Sequence, residues 1–289
     1  MTGVVGGAHV DLAPPDDEQP SSGGAGDDLR LSFEDVDGAR VAVWWAGDPG
    51  ASPLVLVHGN GANHAWWAAM IPLLAPHHRV AAVELSGYGR SDHRSRYSWQ
   101  TWAAEVAAVV RAVGAPATVV GHSMGGVVAA VAAAAYPSLV ERLVVFDAYP
   151  RPRGVQRRPE PPPPRRYYRD REELVARFRL RPAQELPAPE LTRLLVDATM
   201  KETPSGWTWR SDPAARGDWA DPVIERLVTR IHCPTTWVFS EHSEHLHAQA
   251  AQRIVDESSG PYVMASVPRT HHHLILEEPA ACSALLDLT

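Results

Sequence analysis

The sequence predicts an α/β fold: a doubly wound, mostly parallel sheet with one helical cap insertion. Three observations lead there. Runs such as "PLVLVHGNG" and "ATVVGH" are apolar at consecutive positions, as in strands buried on both faces. Helix-like stretches separate these runs, the alternation that yields parallel strands joined by crossover helices. The rhythm breaks once, near residue 150, and resumes near residue 230.

Residues 1–28 are rich in Gly, Pro, Ser and Asp, which predicts a disordered tail. They lack the basic start and long apolar run of a secretory signal. In "LRLSFEDVDGARVAVWWAGD" two short alternating runs flank Asp37 and Gly38, the pattern of a β-hairpin. A strand "PLVLVHGNG" follows, then a helix-like "NHAWWAAMIPLLA", a strand "RVAAVEL" and a helix "WQTWAAEVAAVVRAVG". Next come a strand "ATVVGH", a helix "GGVVAAVAAAAY" and a strand "VERLVVFDA". Prolines then crowd "PRPRG" and "RRPEPPPPRR", which excludes a central strand or a helix interior. Helix-like pieces appear at "DREELVARFRL" and "APELTRLLVDATM". Strand character returns at "CPTTWVFS" and "GPYVMASV", and "LEEPAACSALLDL" closes the chain as a helix. The expected organisation is a core of residues 29–149 and 230–289 with residues 150–229 inserted at the C-terminal edge of the sheet, where ligands bind in such folds.

Composition narrows the function classes. A formal net charge of −7 gives no global basic field, which argues against nucleic-acid binding. Two cysteines, Cys233 and Cys282, are too few for a disulfide scaffold or a metal knuckle, and they fit a reducing cytoplasm. The longest apolar stretch, Val127 to Tyr136, is well short of the roughly 20 residues that a bilayer-spanning helix needs, so no membrane association is expected.

The chemistry concentrates at "GHSMG", residues 121–125, which matches G-x-S-x-G between an expected strand and an expected helix. A sharp turn there strains the backbone at Ser123 and lifts its hydroxyl above the sheet, and glycines on both sides avoid collisions with neighbouring elements. The following helix aims its N-terminal N–H groups at the reacting oxygen. A serine hydroxyl is a weak nucleophile and needs a base, for which "RTHHHLILEEP" offers His271, His272 and His273. Adjacent side chains point in different directions and no Cys or Asp cluster accompanies the triplet, which argues against a metal site.

With these motifs, residues 30–289 resemble the α/β-hydrolase superfamily. The resemblance implies an oxyanion loop at "HGNGANHAWW", where His58 and Gly59 shape the turn and the N–H of Asn60 joins that of Met124 as an oxyanion hole. It makes "VELSGYGRSD" a structural Gly-rich segment, with Glu84 where aspartate is usual. It selects His272 as base, by its distance from Glu277 and Pro279, with His271 and His273 as rivals. A serine at the elbow, where dehalogenases and epoxide hydrolases carry aspartate, argues against those two activities.

The sequence departs from the family at the third catalytic member. The acid usually follows the strand here written "CPTTWVFS", but Ser243 stands in its place within "SEHSEH". Two carboxylates compete for the role, with a dyad or another acid as the remaining alternative. Asp147 ends the strand "LVVFDA", a position some family members use, and Glu244 lies one residue past the usual place. His242, His245 and His247 in "HSEHLH" read as a solvated surface.

The segment from Arg151 to Arg181 holds eleven arginines against four acidic residues. They read as solvated side chains pairing with acids elsewhere, or as a means to steer an anionic or carrier-bound substrate. Trp66, Trp67, Trp207 and Trp209 are candidates to line an apolar substrate pocket, with packing as the alternative. The leading expectation is a cytoplasmic serine esterase or thioesterase acting on a small molecule through an acyl-enzyme, with no cofactor. A lyase or acyltransferase using the same residues, and a non-catalytic binding protein, are the alternatives.

Overall fold

The computed structural model describes residues 29–148, 161–218, 221–242 and 248–287. The expected tail, the proline-rich start of the insertion, and Ser243, Glu244, His245 and His247 lie outside the described residues.

Among the described residues, eight of the ten strands form one sheet. In chain order the strands are β1 (Arg30–Val36), β2 (Ala39–Ala46), β3 (Ser52–Val57), β4 (His78–Glu84), β5 (Ala117–His122), β6 (Val140–Phe146), β7 (Met200–Thr203), β8 (Gly206–Trp209), β9 (Thr235–Ser240) and β10 (Tyr262–Val267). The sheet order is β1-β2-β4-β3-β5-β6-β9-β10. β2 runs antiparallel to β1 and β4, and the other pairs are parallel. The β1–β2 turn has positive φ at Asp37 (50°) and Gly38 (74°), which lets a two-residue loop close the register Val36↔Ala39.

The central strands alternate between two apolar clusters, which is why they read as unbroken apolar runs. Val55, Val57, Val119 and Val145 face one cluster with helices α2 (Trp99–Val113) and α3 (Met124–Ala135), numbered after the short α1 (Ile71–Leu74). Leu54, Leu56, Val120 and Phe146 face the other, shared with Trp67, Met70, Ile71 and Leu274. Strand order reverses at β3: β4 lies on one side of it and β5 on the other. The loops after β3 and β5 therefore open a crevice at the carboxyl ends of the strands, where ligands bind in open α/β sheets.

Three elements differ from expectation. "NHAWWAAMIPLLA" is not one helix but a 3-10 turn (His64–Trp67) and α1, because Pro72 lacks the N–H of a helix interior and sits in the first turn of α1 instead. Pro279 likewise divides the closing helix into Leu274–Glu277 and Pro279–Ala284. After α4 (Arg171–Val175) and α5 (Pro189–Thr199), residues 200–209 form the antiparallel hairpin β7–β8, where the sequence reading placed no strands. Leu174, Phe178, Leu195 and Met200 share the second apolar cluster, so this region packs on the sheet's own core. Among the described residues no helix is long and apolar enough to cross a membrane.

The loop after β4 is fastened by a buried ion pair. Glu105, fully buried on α2, accepts from Arg94 Nε at 2.9 Å and from the Ser86 N–H at 2.8 Å. Burial pushes the Glu105 carboxyl up, opposed by those donors and the Arg94 charge. Removing one partner strands the other charge in the interior. Arg94→Leu is therefore expected to cost about 3 kcal/mol in urea unfolding; a loss below about 1 kcal/mol would show that the pair carries surface-like energy.

Candidate active site

Ser123 sits between β5 and α3 with φ 55° and ψ −124°, a conformation that L-residues adopt rarely. The flanking glycines explain how the turn fits. A Cβ at Gly121 would lie 2.3 Å from the Gly125 carbonyl oxygen, and one at Gly125 would lie 2.2 Å from that of Val57. Neither contact is tolerable, so any side chain there would push α3 away from β3 and β5. Gly59 is also close, since a Cβ on it would meet that of Ser123 at 3.2 Å. The loop after β3 thus lies directly against the serine.

Of the three adjacent histidines, His272 is the one whose ring reaches the serine, with Nε2 2.9 Å from Ser123 Oγ. His271 turns outward to Glu277 (3.0 Å), and His273 turns to the Arg181 carbonyl (3.2 Å). The other nitrogen of His272, Nδ1, lies 2.6 Å from Asp147 Oδ2. A carboxylate only accepts, so Nδ1 carries the proton and Nε2 presents its lone pair to the serine hydroxyl. Asp147 and His272 are both about 95% or more buried. Asp147 also has a positive φ of 45°, and its Oδ1 accepts from the Ser240 N–H (3.0 Å) and hydroxyl (2.9 Å) at the end of β9. Three strand ends, those of β5, β6 and β9, therefore fix the serine, the carboxylate and the carboxylate's own support.

Two residues escaped the sequence reading. His122, beside the serine in the motif, is buried, and its Nε2–H donates to the His272 carbonyl at 2.8 Å. This bond pins the backbone of the His272 loop to the end of β5. Burial, then the neighbouring His272 and His273 rings, push His122 well below the usual histidine range, so it stays neutral. Tyr88 is the second: its hydroxyl lies 2.9 Å from Asn60 Oδ1 and 3.7 Å from Met124 Sδ, and donates to the Ala215 carbonyl. It connects the two expected oxyanion-hole residues with the segment that follows β8. Burial raises its phenol, which keeps the proton on.

Among the described residues no acceptor takes the backbone N–H of Asn60 or Met124. For Met124 this is the ordinary state of a first-turn helix residue. The tryptophans divide. Trp67 is wholly enclosed in the core, whereas Trp66 and Trp209 each lie 6.4 Å, centroid to centroid, from Phe178. Trp207 is partly buried and exchanges backbone hydrogen bonds with Tyr168. His242 lies on the surface, its ring 5.2 Å from that of His271. Glu84, in the aspartate position, accepts from the Arg90 N–H and binds His64 Nδ1, each at 2.6 Å.

The turn after β3 depends on a neutral histidine. His58 is fully buried, donates from Nδ1 to the Gly59 carbonyl and accepts the Leu85 N–H at Nε2. Burial lowers it to about 4. Between about 6.5 and 4 the unfolded chain binds a proton at this position that the folded chain refuses, so stability is lost as pH falls through that window. The unfolding free energy is expected to drop by about 1.4 kcal/mol per pH unit for this residue alone. His58→Gln is expected to reduce the measured slope between pH 6.5 and 4.5 by that amount in urea titrations; an unchanged slope contradicts the assignment.

Residues 54–285 match the model of the alpha/beta hydrolase family. Over 111 residues the chain is 39% identical to a pimeloyl-[acyl-carrier protein] methyl ester esterase of Photobacterium profundum, a match covering 38% of this chain and 42% of the relative. A serine hydrolase-like protein of Danio rerio is 35% identical over 114 residues, 38% of this chain and 34% of the relative. These matches span well under half of either relative's length. Among solved structures, the thioesterase domain from the curacin biosynthetic pathway superposes with a TM-score of 0.76 at 22% identity, covering 90% of this chain and 99% of that one. With a family match over most of its length and the corresponding sheet, the chain belongs to the alpha/beta hydrolase family.

Proposed function

We propose that the protein is a serine hydrolase that cleaves an ester or thioester through an acyl-enzyme. The observation that carries this reading is the line from Ser123 Oγ through His272 to Asp147, with contacts of 2.9 and 2.6 Å. His272 Nε2 takes the hydroxyl proton as Oγ attacks the acyl carbon, and Asp147 orients the ring and balances the imidazolium charge. The N–H groups of Asn60 and Met124 receive the oxyanion, which develops beside the loop that Gly59 holds against Ser123. The proton then passes to the leaving group, and water attacks the acyl carbon with the same base. Asp147 fills the role of acid in this scheme in preference to Glu244, because it already touches the ring. No cofactor takes part.

For the substrate we propose an acyl group of small to medium size, with Trp66, Phe178 and Trp209 as an apolar wall. The esterase relative is named for a carrier-bound ester, and a carrier-borne acyl group belongs to the same chemical class. Three of the described arginines of the insertion offer such a partner little charge. Arg169, Arg171 and Arg177 are paired with Asp170, Asp197 and Glu173 at exposed positions. Such pairs contribute little to stability, but they leave fewer free cations at this surface.

A panel of short- and long-chain p-nitrophenyl esters and acyl thioesters tests the reading. Ser123→Ala is expected to abolish turnover, and Asp147→Asn to lower kcat by about 10⁴-fold with the fold intact, since the amide presents the wrong partner to Nδ1. Turnover of the Asp147 variant within a few-fold of the parent rules out the assigned acid.

A further inference from the structure

Next to the loop that follows β4 is a second recess, an open cavity of about 410 Å³ bounded by Phe33, Arg90, Asp92, His93, Lys201 and Arg210. None of these residues belongs to the Ser123 centre. The cavity draws on β1, on the segment after β4 and on the open end of the β7–β8 hairpin, so it exists only where the hairpin meets the sheet.

Its charge is unbalanced. Arg90, Lys201 and Arg210 form no ion pair among the described residues. Arg90 lies over the Trp44 ring at 5.6 Å, a contact that fixes the guanidinium without neutralising it. Arg165 adds a further positive charge close by, its guanidinium donating to the carbonyls of Trp209 (2.6 Å) and Ser211 (3.1 Å). The nearby carboxylates are engaged elsewhere. Asp92, on the cavity wall, binds the Arg40 N–H at 2.9 Å and guanidinium at 3.4 Å; Asp212 binds the Tyr97 hydroxyl and the Ala214 N–H. Glu84 is held by His64 and the Arg90 N–H. His93 is tied to the Arg210 carbonyl and to Asp212. Burial, then the like charges of Arg165 and Arg210, lower the Lys201 ammonium against the opposing pull of Asp212, and burial, then Arg90, lowers Arg210 against that of Glu84, so at both cations burial and repulsion outweigh the nearby carboxylate.

We infer that this cavity is an anion site for an organic phosphate, with the phosphate among Arg90, Lys201 and Arg210 and an apolar portion against Phe33. Three cations around one volume suit a doubly charged, multi-oxygen group better than a carboxylate, which a single guanidinium fork satisfies. Phe33 is 40% exposed; the Arg40 guanidinium lies over its ring at 5.1 Å, and the remaining solvated part can meet an apolar ligand.

Isothermal titration calorimetry on the Ser123→Ala protein at low ionic strength tests this without ester turnover. Phenyl phosphate, inorganic phosphate and benzoate are the probes. Phenyl phosphate is expected to saturate one site, to be displaced by inorganic phosphate, and to bind at least about tenfold more tightly than benzoate. Lys201→Gln and Arg210→Gln should each weaken it about tenfold or more, with thermal melts showing that both variants fold, and added salt should weaken it further. Phe33→Ala should weaken phenyl phosphate and spare inorganic phosphate, which separates an organic phosphate from the free ion as the intended ligand. No saturable binding, benzoate equal to phenyl phosphate, parental affinity in Lys201→Gln and Arg210→Gln, or indifference to Phe33→Ala overturns the inference.

Discussion

The backbone at residue 123 is the constraint on which the rest of the site depends. A serine with positive φ is tolerated only where its surroundings over-determine it, and here the end of β5, the start of α3 and the loop after β3 press on the turn together. The absence of side chains at Gly121 and Gly125 permits that convergence. The same tight approach brings the β3 loop against the serine and sets a helix N-terminus immediately behind it. Strain at one residue is therefore linked to the placement of both groups of main-chain donors.

Across the sheet, the partners of the serine are fixed by strand ends rather than by long loops. Asp147 leaves β6 and is held by Ser240 of β9, while the His272 loop is tied back to β5 by His122. His58 and Tyr88 then secure the β3 loop to the segment after β4, and Glu105 with Arg94 secures that segment to α2. Several of these ties are buried polar contacts made by neutral histidines or by a paired carboxylate. Such contacts are costly when broken, and so they specify one arrangement of the loops.

Much of this was legible in the sequence for a physical reason. Strands buried on both faces are apolar at consecutive positions, so the runs in β3, β5, β6 and β9 stand out, and the elbow announces itself through glycines that no other residue can replace. Asp147 could be named because it ends such a run at a position that, by the family resemblance, some members use for the acid. The illegible parts depend on partners distant in sequence. His122 is recognisable only once the His272 carbonyl is beside it, 150 residues away, and Tyr88 only once Asn60 and Ala215 converge on it. The β7–β8 hairpin is four residues per strand, too short for its alternation to stand above the helix-like pattern before it. The tryptophans illustrate the same limit, since Trp66 and Trp67 are neighbours in sequence and only Trp67 is wholly enclosed.

The central claim is that the imidazole of His272 makes the Ser123 hydroxyl reactive. Reaction with a fluorophosphonate probe, with the adduct mapped by mass spectrometry, tests it most directly. The account predicts a single rapid adduct on Ser123 whose formation is lost in His272→Ala and preserved in His271→Ala. Labelling of Ser123 that persists at the parent rate without His272, or no labelling of Ser123 in the parent protein, would contradict it.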